Sequence, residues 1–252
     1  MTENEWQTCE DPARMVAFVA GRGRARKPRL FASACCLRHD HWVEETPAAE
    51  ALEVALAFAD GRASTEQLGS AARAASACAS HFYATYRETG QLEPYFAHVA
   101  ASACEKAAAE RLPELLRAAV YAAQVHAYSM CESLDISDRW REYRAREAAD
   151  QAAVARDIFG NPFRPVTLTP AWRTGTAIAL AQAMYDSRDF GAMPILADAL
   201  QDAGCTNDAM LDHCRGQGPH VRGCWVVDLV LGKDYIPPAN SGSDAGPRHV
   251  HS

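Results

Sequence analysis

The run Ala118-Ala-Val-Tyr-Ala-Ala-Gln-Val-His-Ala-Tyr-Ser-Met-Cys131 contains no formal charge, no proline and no glycine. Alanine recurs through it, and alanine loses no side-chain entropy on entering a helix. A charge-free segment of this length predicts a helix buried on most sides, and so requires other helices around it. The rest of the chain supplies them. Alanine accounts for 50 of the 252 residues, while Val, Ile and Thr never alternate over a long run. No strand pattern competes with the helical one. The fold class is all-α, a bundle of eight to ten helices. His126 lies within the run and reads as a core histidine satisfied by a hydrogen bond, because no partner motif is nearby.

Local signals place the other helices. Glu3 to Gly21 forms a short helix with Asp11-Pro12 as a cap and first-turn proline. Ala48 to Asp60 repeats apolar residues at helical spacing and stops at Gly61. Ser64-Thr-Glu-Gln67 is a capping box that opens a helix to about Thr85. Leu92–Ala109, a helix entered through Pro113, and Ser137–Ile158 follow, the last ending at Gly160. Asn161-Pro-Phe-Arg-Pro165 then breaks the pattern, since each proline fixes its own φ and pushes its predecessor towards extended backbone. Helices resume at Ala171–Asp186, Met193–Ala203, Asn207–Cys214 and Pro219–Leu231. The expected organisation is an N-terminal bundle over residues 1–157, a proline strap leading into a helical region over 158–234, and a disordered tail over 235–252.

Composition excludes several classes. With 48% hydrophobic residues and a net charge of −7, the chain is neither disordered nor collagen-like. No stretch approaches the ~18 apolar residues of a membrane-spanning helix. The polar, acidic start, Met1 to Glu10, is unlike a secretion signal and predicts a cytoplasmic address. The nine cysteines include no C-x-x-C pair. They are expected to be free thiols, with Cys104, Cys131, Cys205 and Cys224 largely buried. P-loop, dinucleotide-binding and nucleophile-elbow motifs are missing from the sequence, so no cofactor is expected. The basic stretch Arg22–Arg38 offers few aromatics for base stacking. Nucleic acid is therefore not expected as a partner, and Arg22–Arg29 reads as a solvated loop.

Three motifs carry a resemblance. They are Arg156-Asp-Ile-Phe-Gly-Asn-Pro-Phe-Arg-Pro-Val166, Leu196-Ala-Asp-Ala-Leu200 with Asp202-Ala-Gly-Cys205, and His220-Val-Arg-Gly-Cys-Trp-Val-Val-Asp-Leu229. Glu5-Trp6, Asp11-Pro12, Arg29-Leu-Phe-Ala32 and Ala34-Cys-Cys36 agree with them. Over most of residues 1–233 the chain resembles a paralogous family of bacterial proteins of planctomycete type. The resemblance brings no activity, substrate or catalytic residue to these positions. His39-Asp-His41 departs from the family's pattern.

The sharpest chemical pattern is Cys205, Cys214, His220 and Cys224, spaced C-x8-C-x5-H-x3-C. All four residue types suit zinc. If Asn207–Cys214 is helical, however, Cys205 and Cys214 stand at opposite ends of roughly 12 Å of helix, too far apart to share one ion. The trio Cys214, His220 and Cys224 survives as the zinc alternative, with His220 and Cys224 on one face at i,i+4. His39 and His41 have an H-x-H spacing but lie at a helix end or loop, where surface histidines are the default. Asp228 sits in Trp225-Val-Val-Asp-Leu-Val-Leu231, apolar on every side. Such a carboxylate must be paired or protonated, and a charge-assisted bond from arginine, a structural ion pair favoured over a catalytic acid, is the cheapest solution. Arg164, Arg215, Arg222 and His213 are the candidates, with Arg164 or Arg215 favoured over Arg222. Two functional readings follow. The first is a cytoplasmic interaction or scaffold module serving a protein partner. The alternative is an enzyme or zinc-binding protein with a site around His213, His220, Arg222 and Asp228.

Overall fold

Alanine-rich sequence becomes helix almost throughout. The structure, a computed structural model, describes residues 1–20 and 26–233, and these hold twelve α-helices, two short 3-10 turns and no strand. The expected tail over 235–252 lies outside the described residues. The first expected helix divides in two, α1 (Glu3–Thr8) and α2 (Pro12–Ala20), because Cys9 is extended and Pro12 starts a new helix. An unexpected helix, α3 (Arg26–Leu37), follows. These two differences carry the count past the expected eight to ten.

Helices α4 (Pro47–Ala59), α5 (Thr65–Thr89), α6 (Leu92–Ala107) and α7 (Leu112–Cys131) pack successively on one another. The capping box at Ser64 forms with both of its bonds, and α5 runs four residues further than expected, to a left-handed Gly90. Ala118, Ala119 and Ala122 of α7 are buried, and their small side chains let α3, α6 and α8 (Asp138–Phe159) approach closely. Two apolar clusters fill this part of the molecule. One lies among α4–α7, and the other joins α1, α2 and α3 to α7 and α8.

Gly160 closes α8 at φ 63°, ψ −152°, and a Cβ there would stand 3.1 Å from the Trp225 ring. Only glycine meets both demands. The strap Asn161–Pro165 has no regular structure. Phe163 within it stacks on Phe18, with ring centroids 5.5 Å apart. A third apolar cluster lies beyond, built from α9 (Gly175–Ser187), α10 (Met193–Asp202), α11 (Asp208–Arg215) and α12 (Trp225–Leu231). The expected helix from Pro219 is corrected, because regular helix starts only at Trp225. Gly223 has φ 100°, and a Cβ on it would come within 2.8 Å of Leu30 Cδ1. The left-handed backbone that seats this segment against α3 is incompatible with helix.

The solvated-loop reading of the basic stretch is corrected for Arg26–Arg29. Arg29 is buried and donates to the carbonyls of Ala107 and Ala109 at 3.0 and 2.7 Å. It thereby satisfies carbonyls left over at the end of α6, where a cation is also favoured by the helix dipole. Burial lowers its pKa to about 10. All nine cysteines are free thiols. Cys104, Cys205 and Cys224 are buried as expected, whereas Cys131, in the last turn of α7, is only half-buried. No helix among the described residues is long and apolar enough to cross a membrane.

Candidate metal centre

Asp157 lies in the last turn of α8 and is buried, 2% exposed. It shares the buried side of that helix with Val154, Ala155 and Ile158, so its carboxylate is carried into the core by helical spacing alone. Three further residues converge on it from α11, the following loop and the cap of α12. His213 Nε2 stands 3.1 Å from Asp157 Oδ1 and 3.2 Å from Cys224 Sγ. His220 Nδ1 stands 2.9 Å from the same Asp157 Oδ1. The two imidazoles cross nearly edge to face, with centroids 4.9 Å apart. The four donor atoms all lie within 4.8 Å of one another.

Outer contacts hold these groups in place. The Val221 backbone amide donates to Asp157 Oδ2 at 2.9 Å, leaving Oδ1 for the centre. His220 Nε2 lies 3.3 Å from the Gly216 carbonyl, which orients Nδ1 inward. A histidine whose second nitrogen is held by a carbonyl is the usual outer support of a metal ligand. Burial alone would raise Asp157, but the hydrogen bonds and charges of His213 and His220 outweigh it and hold the carboxyl below its ordinary range. For His220, burial lowers the pKa, and the Asp157 hydrogen bond and charge more than reverse it. Burial, then the charge of Asp157, pushes the Cys224 thiol well above its ordinary value, while the amides of Val226 and Val227 act in the opposite direction.

The sequence-derived trio is corrected in one member. Cys214 is not part of the group. It points into the C-terminal apolar cluster with Cys205, and burial pushes its pKa up to about 12. Its neighbour His213 takes its place, because successive residues on a helix point about 100° apart. His220 and Cys224 do meet, but through a non-helical loop and not through i,i+4 spacing. Asp157 was missed. A carboxylate spaced with Val154 and Ile158 on an otherwise apolar face was the available signal, the same one that marked Asp228.

Asp228 is fully buried, and its arginine is Arg26, which donates through two nitrogens at 2.6 and 3.0 Å. The expected partners lie elsewhere. Arg164 pairs with Glu3 at 2.7 Å, and Arg215 bonds to Asp198 and Gln201. Arg222 packs over the Tyr185 ring, 4.5 Å from its centroid, and His213 belongs to the Asp157 group. Arg26 also accounts for a bond to Tyr185, whose hydroxyl donates to Asp60. This polar knot joins α3, the end of α4, α9 and α12, so one ion pair reaches between the two ends of the chain.

A second histidine group gathers around Glu147, two to three turns earlier on α8. His39, His126 and Glu147 bring their donor atoms within 4.8 Å of one another. Here Arg38 grips both oxygens of Glu147 at 2.7 and 2.9 Å, and Gln151 donates to Oε1 at 3.2 Å. His39 Nε2 comes within 3.3 Å of Oε1 yet is not aligned as a hydrogen bond. Burial pushes Glu147 up, but His39 and Arg38 outweigh it and hold the carboxyl at about 2. Burial lowers the pKa of His126. His41 is exposed and stays outside this group.

No family model, no curated protein and no solved structure matches the chain.

Proposed function

We propose that this is a metal-binding protein, with an ion of the zinc class held by Asp157, His213, His220 and Cys224. The observation that carries this reading is the convergence of four zinc-type donors, from four separate stretches of chain, on one point. His213 Nε2 faces both a carboxylate oxygen and a sulfur. A cation among these atoms would engage all of them at once. Bonds of ~2.0–2.3 Å to a tetrahedral ion give donor–donor edges of roughly 3.3–3.6 Å. The gaps of 2.9, 3.1 and 3.2 Å need to open by only a few tenths of an ångström.

Four protein ligands complete a tetrahedral shell, the pattern of a structural ion rather than one that activates water. Such an ion would fasten the end of α8 to α11 and α12. Its binding would displace the Cys224 proton, since the thiolate is the ligand. A nucleophilic thiol is the poorer reading of the same atoms. A Cys–His–Asp relay uses both imidazole nitrogens, whereas here sulfur and carboxylate meet the same one. Cys224 is also fully buried. For the scaffold reading the described surface offers the exposed large apolar side chains Tyr83, Met130, Ile136 and Ile195, and single side chains of this kind on separate elements are ordinary.

Elemental analysis of the full chain, purified without chelator from zinc-supplemented cells, tests the proposal. About one zinc per chain is expected. His213→Ala and Cys224→Ser should lose it, and His126→Ala should keep it. A parent protein that neither retains zinc nor takes it up at micromolar concentration refutes the reading.

A further inference from the structure

Beside the proposed metal centre lies a cavity of about 330 Å³ to which His220, Val221 and Arg222 contribute. Its charged lining is unbalanced. Arg38, Arg188 and Arg222 face it together with one carboxylate, Asp40. The arginines are held from outside the cavity. Glu147 and Asp150 grip Arg38, Glu53 grips Arg188, and Arg222 lies over the Tyr185 ring. Guanidinium groups fixed in this way lose little freedom when a further acceptor arrives.

Arg222 is the least exposed of the three, 11% against 32% for Arg38 and 33% for Arg188. Among the described residues its nearest carboxylate is Asp60, 4.0 Å from Nε, so its charge is only loosely matched. An anionic oxygen is the acceptor that a guanidinium prefers. The rest of the wall is apolar, with Leu56 and Phe190 prominent. A fully hydrated ion such as phosphate would leave oxygens against these side chains. A volume near the lower end of ligand pockets also calls for a small guest.

We infer that this cavity binds a small organic carboxylate, its carboxyl on Arg222 and its short apolar body against Leu56 and Phe190. The inference stands on the cavity and its arginines, so it can fail or hold independently of the metal reading. Isothermal titration of the full metal-loaded chain with hexanoate is the test, with hexanamide and inorganic phosphate as comparisons. Saturable hexanoate binding is expected, with hexanamide weaker by at least about tenfold, as for loss of a charge-assisted bond. Arg222→Met should weaken hexanoate by a similar factor. Arg188→Gln, a change at the partly exposed rim that does not touch the core, should weaken it several-fold. No saturation with hexanoate, binding unaltered in both variants, or phosphate binding more tightly than hexanoate would each overturn the inference. Zinc measured on the same samples separates the two proposals. Arginine-dependent hexanoate binding by parent protein that takes up no zinc at micromolar concentration refutes the metal reading and upholds this one.

Discussion

Glu147 and Asp157 are buried carboxylates on the same helix, each beside two histidines, and they have opposite chemistry. Arg38 occupies both oxygens of Glu147, so that group is a finished ion pair. A cation entering it would have to displace a bidentate guanidinium and leave it half-buried with Asp150 as its remaining acid partner. At Asp157 one oxygen is held by a neutral backbone amide, and the other faces two imidazoles that also approach a thiol. The charge there is balanced by protonated histidine or by a metal. A cluster of ligand-type residues is therefore not in itself a metal site. What decides is whether a fixed protein cation already sits on the carboxylate.

The largest expected effect is the loss of the ion from one cluster and not the other. An ion held at a thousand times its dissociation constant adds ~4 kcal/mol, which for a chain of this size is about 8–16 °C in melting temperature. Chelator should lower the melt of the parent by that order. It should leave His213→Ala almost unmoved, while Glu147→Gln falls with chelator as far as the parent does. Equal chelator sensitivity in parent and His213→Ala would remove the distinction between the clusters.

Glu147→Gln itself carries the next effect. The substitution keeps the shape of the side chain but removes the charge from a pair with Arg38. A cost of about 2 kcal/mol is expected, typical of a lost hydrogen bond to a charged group. Urea denaturation should show this loss with zinc content unchanged. A Glu147→Gln protein as stable as the parent would mean that the ion pair is not what completes the cluster.

The smallest effect is a change in slope with pH. Glu147 has a folded value of about 2, below its ordinary 4.5, so its contribution is complete above 4.5 and disappears only as pH falls towards 2. It leaves the neutral range flat. His220 is raised above 6.5 in the folded chain without metal, so its contribution is full below 6.5 and is lost as pH climbs through the raised value. Chelated protein should therefore become less stable from pH 6 to 8, by at most ~1.4 kcal/mol per unit for one proton. Zinc-loaded protein should move the opposite way, because protons and zinc compete for the same ligands. Melts at pH 6, 7 and 8 with and without chelator check the sign, and parallel curves would contradict a metal on His220.

Most of the helices and many of their ends, though not α3, are legible in the sequence. Ser64, Ser137 and Asn207 each accept a backbone amide three residues ahead, and Gly160 takes a conformation that few other residues tolerate. These are interactions within one turn of chain, so local reading finds them. It also predicts a buried Asp228 with an arginine partner as the cheapest solution, since burial follows from its immediate apolar neighbours. Tertiary structure decided the rest. Arg26 reaches Asp228 across 202 positions, and Asp157 meets His220 across 63. No local pattern ranks Arg26 above Arg164, because the choice depends on where α3 packs against α12. The segment 219–224 shows the limit most clearly. Helical spacing alone would bring His220 to Cys224, yet the chain brings them together through a loop whose Gly223 is pressed against Leu30. The contact is the same and its cause is different, because the energy that shapes this loop comes from packing against a helix nearly two hundred residues earlier in the chain.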